Sequence, residues 1–77
     1  MNNTMNKSAL DILHYLYDNT TYHSFLTLYQ LEVLFGMAAV PLRSLLEDLK
    51  VQGLVVETDK GYHISHQGRS FGQSLWV

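Results

Sequence analysis

Leu31-Glu-Val-Leu-Phe35-Gly36-Met-Ala-Ala-Val-Pro41-Leu42-Arg-Ser-Leu45-Leu46-Glu-Asp-Leu49-Lys-Val-Gln-Gly53-Leu54-Val55 is the stretch on which the fold turns. Leu42, Leu45, Leu46 and Leu49 fall at i, i+3, i+4 and i+7, the spacing that lays one apolar stripe along a helix. Pro41 belongs in the first turn of that helix, where its missing N–H costs nothing, and Gly53 closes it. Upstream, Thr27 stands three residues before Gln30 in capping-box spacing. It opens a shorter helix over about Leu28 to Phe35, with Gly36 placed as the stop.

Outward from this pair, Ser8-Ala-Leu-Asp11 has the spacing of another capping box. A first helix therefore begins near Ser8, with Ala9, Ile12, Leu13 and Leu16 as its buried stripe. Asp18-Asn-Thr-Thr21 ends it with turn chemistry. Tyr22 to Leu26 is too short for a helix and reads either as a small strand or as an extended link. After Gly53 the periodicity changes. Leu54 to Thr58 and Tyr62 to Ser65 are strand-like and flank Asp59-Lys-Gly61, the pattern of a β-hairpin. Ser65 then caps a last helical turn or two, with Phe71 and Leu75 four apart; Gly68 and Gly72 weigh against a longer helix.

Seventy-seven residues hold one domain, here 8–77, behind a flexible N-terminus over 1–7. Hydrophobic residues make up 47% of the chain, enough for one compact core, but at this size the stability margin is only about 3–5 kcal/mol. The absence of cysteine excludes disulfides, iron–sulfur clusters and thiolate zinc sites. No apolar run approaches the ~18 residues of a membrane span, and the Asn-rich start lacks a secretory signal. A cytoplasmic protein with no membrane association is expected. Five Lys and Arg against seven Asp and Glu give a net charge of −2, which counts against nucleic acid, where basic side chains supply most non-specific affinity.

The order helix, helix, turn, helix, hairpin resembles a winged helix-turn-helix over Ser8 to about Arg69. Leu46-Glu-Asp-Leu49-Lys-Val-Gln-Gly53-Leu-Val55 is similar to the L-x-x-L-x-x-x-G-L-V run that leads into the wing of such regulators. Tyr62-His-Ile-Ser65-His-Gln-Gly68-Arg69 resembles the Y-x-L-T-x-x-G-R stretch after the wing in MarR-like and PadR-like bacterial transcriptional regulators. The resemblance implies an α+β, mainly α fold of three helices and a two- or three-stranded wing. It also implies a DNA-binding transcription regulator with the third helix in the major groove, the wing on the backbone and no cofactor. Carried onto this chain, Arg43 and Ser44 would read or anchor bases, and Lys50, Lys60 and Arg69 would hold phosphates of double-stranded DNA.

The chain departs from that pattern in two places. Ala38, Ala39, Val40 and Pro41 stand where polar residues usually open the third helix. They are able to touch a thymine methyl but make no bidentate contact. Arg43 itself reads equally well as an i, i+4 surface partner of Glu47. On the second helix Glu32 replaces a small residue, and Val33 and Leu34 replace polar ones. Either the register slips locally, which is the plainer reading, or the helix shows an apolar face to a partner.

Other chemistry has little footing. His63 and His66 are three apart while His14 and His23 lie far off in sequence, so the four read as isolated surface histidines and not as zinc ligands. With no nucleophile elbow, HExxH or phosphate-cradling glycine loop, an enzyme is not expected. Tyr15, Tyr17, Tyr22 and Tyr29 crowd the first helix and the approach to the second, and Phe71, Leu75 and Trp76 fill the tail. The tail must fold back on the domain or pack on another copy. A homodimer through the first helix and the tail follows as an expectation, with Tyr15, Phe71, Leu75 and Trp76 at the interface. The alternative to a DNA-binding regulator is a winged-helix protein–protein interaction module, an accessory or anti-regulator that leaves DNA alone. The acidic balance and the apolar Ala38 to Pro41 segment favour it.

Overall fold

The computed structural model describes residues 6–21 and 23–76, and the expectations placed on residues 1–5, Tyr22 and Val77 lie outside them. The chain runs α1 (Lys7–Asn19), α2 (Leu28–Phe35), α3 (Ala39–Val51), β1 (Val55–Thr58), β2 (Gly61–Ile64) and α4 (His66–Leu75). This is a mainly helical α+β arrangement. The strands pair antiparallel, Val55 opposite Ile64 and Thr58 opposite Gly61. Before α2, Thr21 and Ser24 bridge each other through two 3.3 Å backbone hydrogen bonds, and Leu26 then bridges to the sheet. Leu26 exchanges two backbone hydrogen bonds with Tyr62, at 3.0 and 2.8 Å. Among the described residues no helix is long and apolar enough to cross a membrane.

Local chemistry sets the boundaries. Thr27 Oγ1 accepts from the Gln30 N–H and Gln30 Oε1 accepts from the Thr27 N–H, so both halves of the capping box form. Gly36 ends α2 at φ +61°, a left-handed conformation that a Cβ disfavours. At α1 the cap lies two residues earlier than the Ser8 pattern predicts. Asn6 Oδ1 accepts from the Ser8 N–H, and Asp11 pairs instead with Lys7. By contrast the N-cap of α3 is Ala38, which has no side chain to cap its first turn.

The tail corrects the expectation of one or two helical turns, since α4 runs for ten residues. Ser65 caps it, accepting from the Gly68 N–H while donating to the Gly53 carbonyl. The two glycines that lower its intrinsic propensity are the two points where it presses on the rest of the chain. A Cβ on Gly68 would collide with the Leu54 carbonyl oxygen, and one on Gly72 would collide with the Tyr17 ring. Glycine costs about 1 kcal/mol relative to Ala in a helix, and here close packing repays it.

The core gathers Ile12, Leu13 and Leu16 from α1, Leu31 from α2 and Leu42, Leu46 and Leu49 from α3. Leu54, Val55, Tyr62 and Ile64 close it from the hairpin. Leu45, the fourth member of the expected α3 stripe, is only half-buried. Two polar residues are buried with this core, Thr20 and His63, and Thr20 ties its parts together. Thr20 Oγ1 donates to the Leu16 carbonyl at 2.7 Å and accepts from the Ile64 N–H at 2.8 Å. Replacing the hydroxyl by a methyl of similar volume strands that N–H. Thr20→Val is therefore expected to destabilise the fold by about 1–3 kcal/mol, read from the urea midpoint at an unchanged m-value.

Candidate interaction surface

The five residues that the resemblance assigns to DNA are not presented together. Arg43 and Lys50 lie on α3, and both are directed at Glu57 on β1. Lys50 Nζ donates to Glu57 Oε1 at 2.7 Å and to Glu47 Oε2 at 2.8 Å. Arg43 Nη1 lies 4.0 Å from Glu57 Oε2, so its partner is Glu57 and not the expected Glu47. The bonds to Glu47 and then Glu57 hold the Lys50 ammonium well above its ordinary pKa. The same Lys50 bond, ahead of Arg43, holds the Glu57 carboxyl below the usual carboxylate range. Tyr62 lies behind this cluster, and burial first, then the Glu57 charge, pushes its phenol up.

Arg69 is on α4, half-buried, with Nη2 donating to the Thr20 carbonyl at 2.8 Å and the guanidinium over the Tyr17 ring. It serves the junction of α1 and α4, not the exposed side of α3. Ser44 is exposed on α3, and Lys60 is exposed at the hairpin turn beside Asp59. Arg43 and Lys60 do line one cleft of about 180 Å³, between the start of α2, α3 and the hairpin, but Glu57 and Asp59 share its walls. The side chains that present charge around α3 and the hairpin are thus three cations, Arg43, Lys50 and Lys60, and four anions, Glu47, Asp48, Glu57 and Asp59.

The uncharged surface lies on α2. Tyr29 is 72% exposed, Val33 64% and Leu34 48%, which corrects the reading of a local register slip. Helix α2 is in register, and its outer side is apolar. Tyr29, Gln30, Val33 and Leu34 border a groove of about 410 Å³ whose other wall is Tyr15 and Leu26. Tyr15 is held there by an edge-on contact with Phe35, ring centroids 5.9 Å apart. Past Gly36, at the start of α3, Val40 is 80% exposed and Pro41 is exposed. From Asn19 to Leu42, Glu32 is the only Asp, Glu, Lys or Arg in the sequence. A run of hydrophobic residues flags such a stretch, but only the structure shows which of them face out.

The expected interface residues separate in the same way. Tyr15 lies in the α2 groove, whereas the tail folds back along α1. Trp76 stacks on His14 with ring centroids 4.0 Å apart and leans on Tyr17, and Phe71 packs against the core. Leu75 remains half exposed. The histidines are likewise not all isolated surface residues. His63 is buried, with Nδ1 2.7 Å from the Ile64 carbonyl oxygen and its ring edge-on to Phe25. Among the described residues no three His, Asp or Glu side chains gather into a metal-binding group.

Comparison with family profiles, characterised proteins and solved structures gives no match for the chain.

The Glu57 cluster predicts a pH dependence. A carboxyl whose pKa is lowered by folding stabilises the native state above the unfolded value, about 4.3 for Glu, and loses that contribution as pH falls through the folded value. In Glu57→Gln the decline of the urea midpoint in this acid range should be shallower than in the parent chain. An equal decline in both would place the acid sensitivity elsewhere.

Proposed function

We propose that the chain is a winged-helix module that docks on protein through α2, the turn at Gly36 and the first turn of α3. The order of elements and the hairpin after α3 support the winged-helix part of this reading. The observation that carries the docking part is the charge-free outer surface built by Tyr29, Val33, Leu34 and Val40. Depletion of charge and presence of aromatic residues are what distinguish the centre of a protein interface from ordinary surface. DNA wants the reverse, a surface of unpaired cations. On this chain Lys50 and Arg69 are committed internally, and Arg43 and Lys60 face carboxylates.

A second reading, a DNA-binding transcription regulator, has two observations in its favour. Arg43 and Lys60 share one cleft, and the first turn of α3 has no side-chain cap, which leaves its N–H groups open to an acceptor such as phosphate. Fluorescence anisotropy with a labelled mixed-sequence duplex at low salt separates the readings. Protein docking predicts no saturable binding in the non-specific range of about 10⁻⁶–10⁻⁴ M. Micromolar binding that weakens on adding salt and on Arg43→Ala would establish the DNA reading in its place. The docking face is tested directly by a photo-crosslinking residue at position 33, which should give a discrete protein adduct in cells of the source organism. The same residue at position 48, on the charged side of α3, should give none.

A further inference from the structure

We propose that the occupant of the α2 groove is the same groove of a second copy, so that the chain forms a two-fold dimer across α2. The proposal rests on the reading of α2 as a protein-docking face and names its partner. Three features of the surface point to a second copy. The first is charge. Tyr15, Leu26, Tyr29, Gln30, Val33 and Leu34 offer no ion to a partner, so a basic or acidic docking segment would lose hydration and gain no counter-ion. The complementary surface must itself be uncharged, and the same six groove residues of another copy supply one. Two copies of net charge −2 then meet where neither places a carboxylate in the groove.

The second feature is shape. Tyr29 and Val33 are one helical turn apart and stand out as a ridge, while the 410 Å³ groove runs beside them. A two-fold axis across α2 sets each ridge in the other copy's groove, the self-complementary arrangement an isologous interface requires. Ridges spaced four residues apart are also the ones that interdigitate in the commonest helix-pair geometry. The third is size. A standard interface takes roughly 800 Å² from each partner, about one sixth of the 4817 Å² surface of this chain. Tyr29, Val33 and Leu34 on α2 and Val40 at the start of α3 supply exposed apolar side chains toward it, with Glu32 the one ionisable acid or base on α2. The interface is thereby moved from the first helix and tail to α2, with Tyr15 the one expected residue retained.

Sedimentation velocity of the full chain across the micromolar range tests this. The wild type should approach twice the 8.8 kDa chain mass as concentration rises. Val33→Asp and Val33→Lys should each weaken association by about tenfold or more, and an equimolar mixture of the two should recover a dimer, because the axis brings opposite charges together. Val33 is exposed, and circular dichroism checks that both variants fold. Should either fail to fold, Tyr29→Gln takes its place and should also weaken association. A wild type that stays monomeric at high micromolar concentration overturns the proposal. So does a dimer that these variants leave unchanged. The crosslink at position 33 distinguishes this failure from failure of the docking reading. An adduct of twice the chain mass supports the dimer, an adduct with another protein keeps the docking face and overturns the dimer, and no adduct overturns both.

Discussion

Thr20 is the joint of the molecule. Its backbone N–H and its hydroxyl both donate to the Leu16 carbonyl, closing α1, while the hydroxyl accepts from Ile64 on β2 and the carbonyl accepts from Arg69 on α4. The end of α1 and the distant pair β2 and α4 are thus referenced to one buried residue. The arrangement is demanding because a buried donor left without a partner costs more than a formed hydrogen bond contributes. Once α1, β2 and α4 are fixed here, Ser65 ties the start of α4 to Gly53, and Gly68 allows the close approach to Leu54. The position of the hairpin against α3 follows from the same constraint.

That constraint determines which charges remain available. Arg69 is drawn inward to the Thr20 carbonyl, so a residue that sequence alone places among phosphate ligands becomes part of the framework. The hairpin, held by Ile64 and by the Leu26 bridge, brings Glu57 up to α3, where it engages Lys50 and approaches Arg43. Exposed ion pairs contribute little stability, so the effect of this cluster on binding outweighs its effect on folding. It sets a carboxylate against both α3 cations.

Features set by neighbours in sequence could be read from the sequence. The Thr27–Gln30 box, the Gly36 stop and the Leu42, Leu45, Leu46 and Leu49 stripe depend on local spacing; the first two are found as read, and the stripe is buried at all but Leu45. What escaped was set by contacts across the chain. Propensity argued against α4 because it cannot register that Gly68 and Gly72 are the only residues that fit against Leu54 and Tyr17 without displacing them. Hydrophobic pattern identified Val33 and Leu34 as anomalous on α2, but a slipped register and an exposed apolar face give the same letters. Only placing Leu31 fully in the core resolves the phase of the helix and turns Val33 and Leu34 outward. Likewise the tail aromatics were recognised as needing cover, and the stack of Trp76 on His14 could not have been inferred from their separation in sequence.

The bare side of α2 has no folding rationale. Helix α2 is eight residues long and buries Leu31 fully, while α4 is committed to α1 through Tyr17 and Trp76. Solvent-facing positions on so short a helix would gain from Ala, Glu or Lys, and valine is among the poorer helix formers. At Val33 the sequence therefore carries a residue that weakens the isolated helix and leaves apolar area in water. In a domain with few kcal/mol to spare, that choice acquires a physical reason only if the area is covered. Covering it with a surface of the same uncharged kind desolvates no ion, which is the condition the α2 groove imposes on its partner.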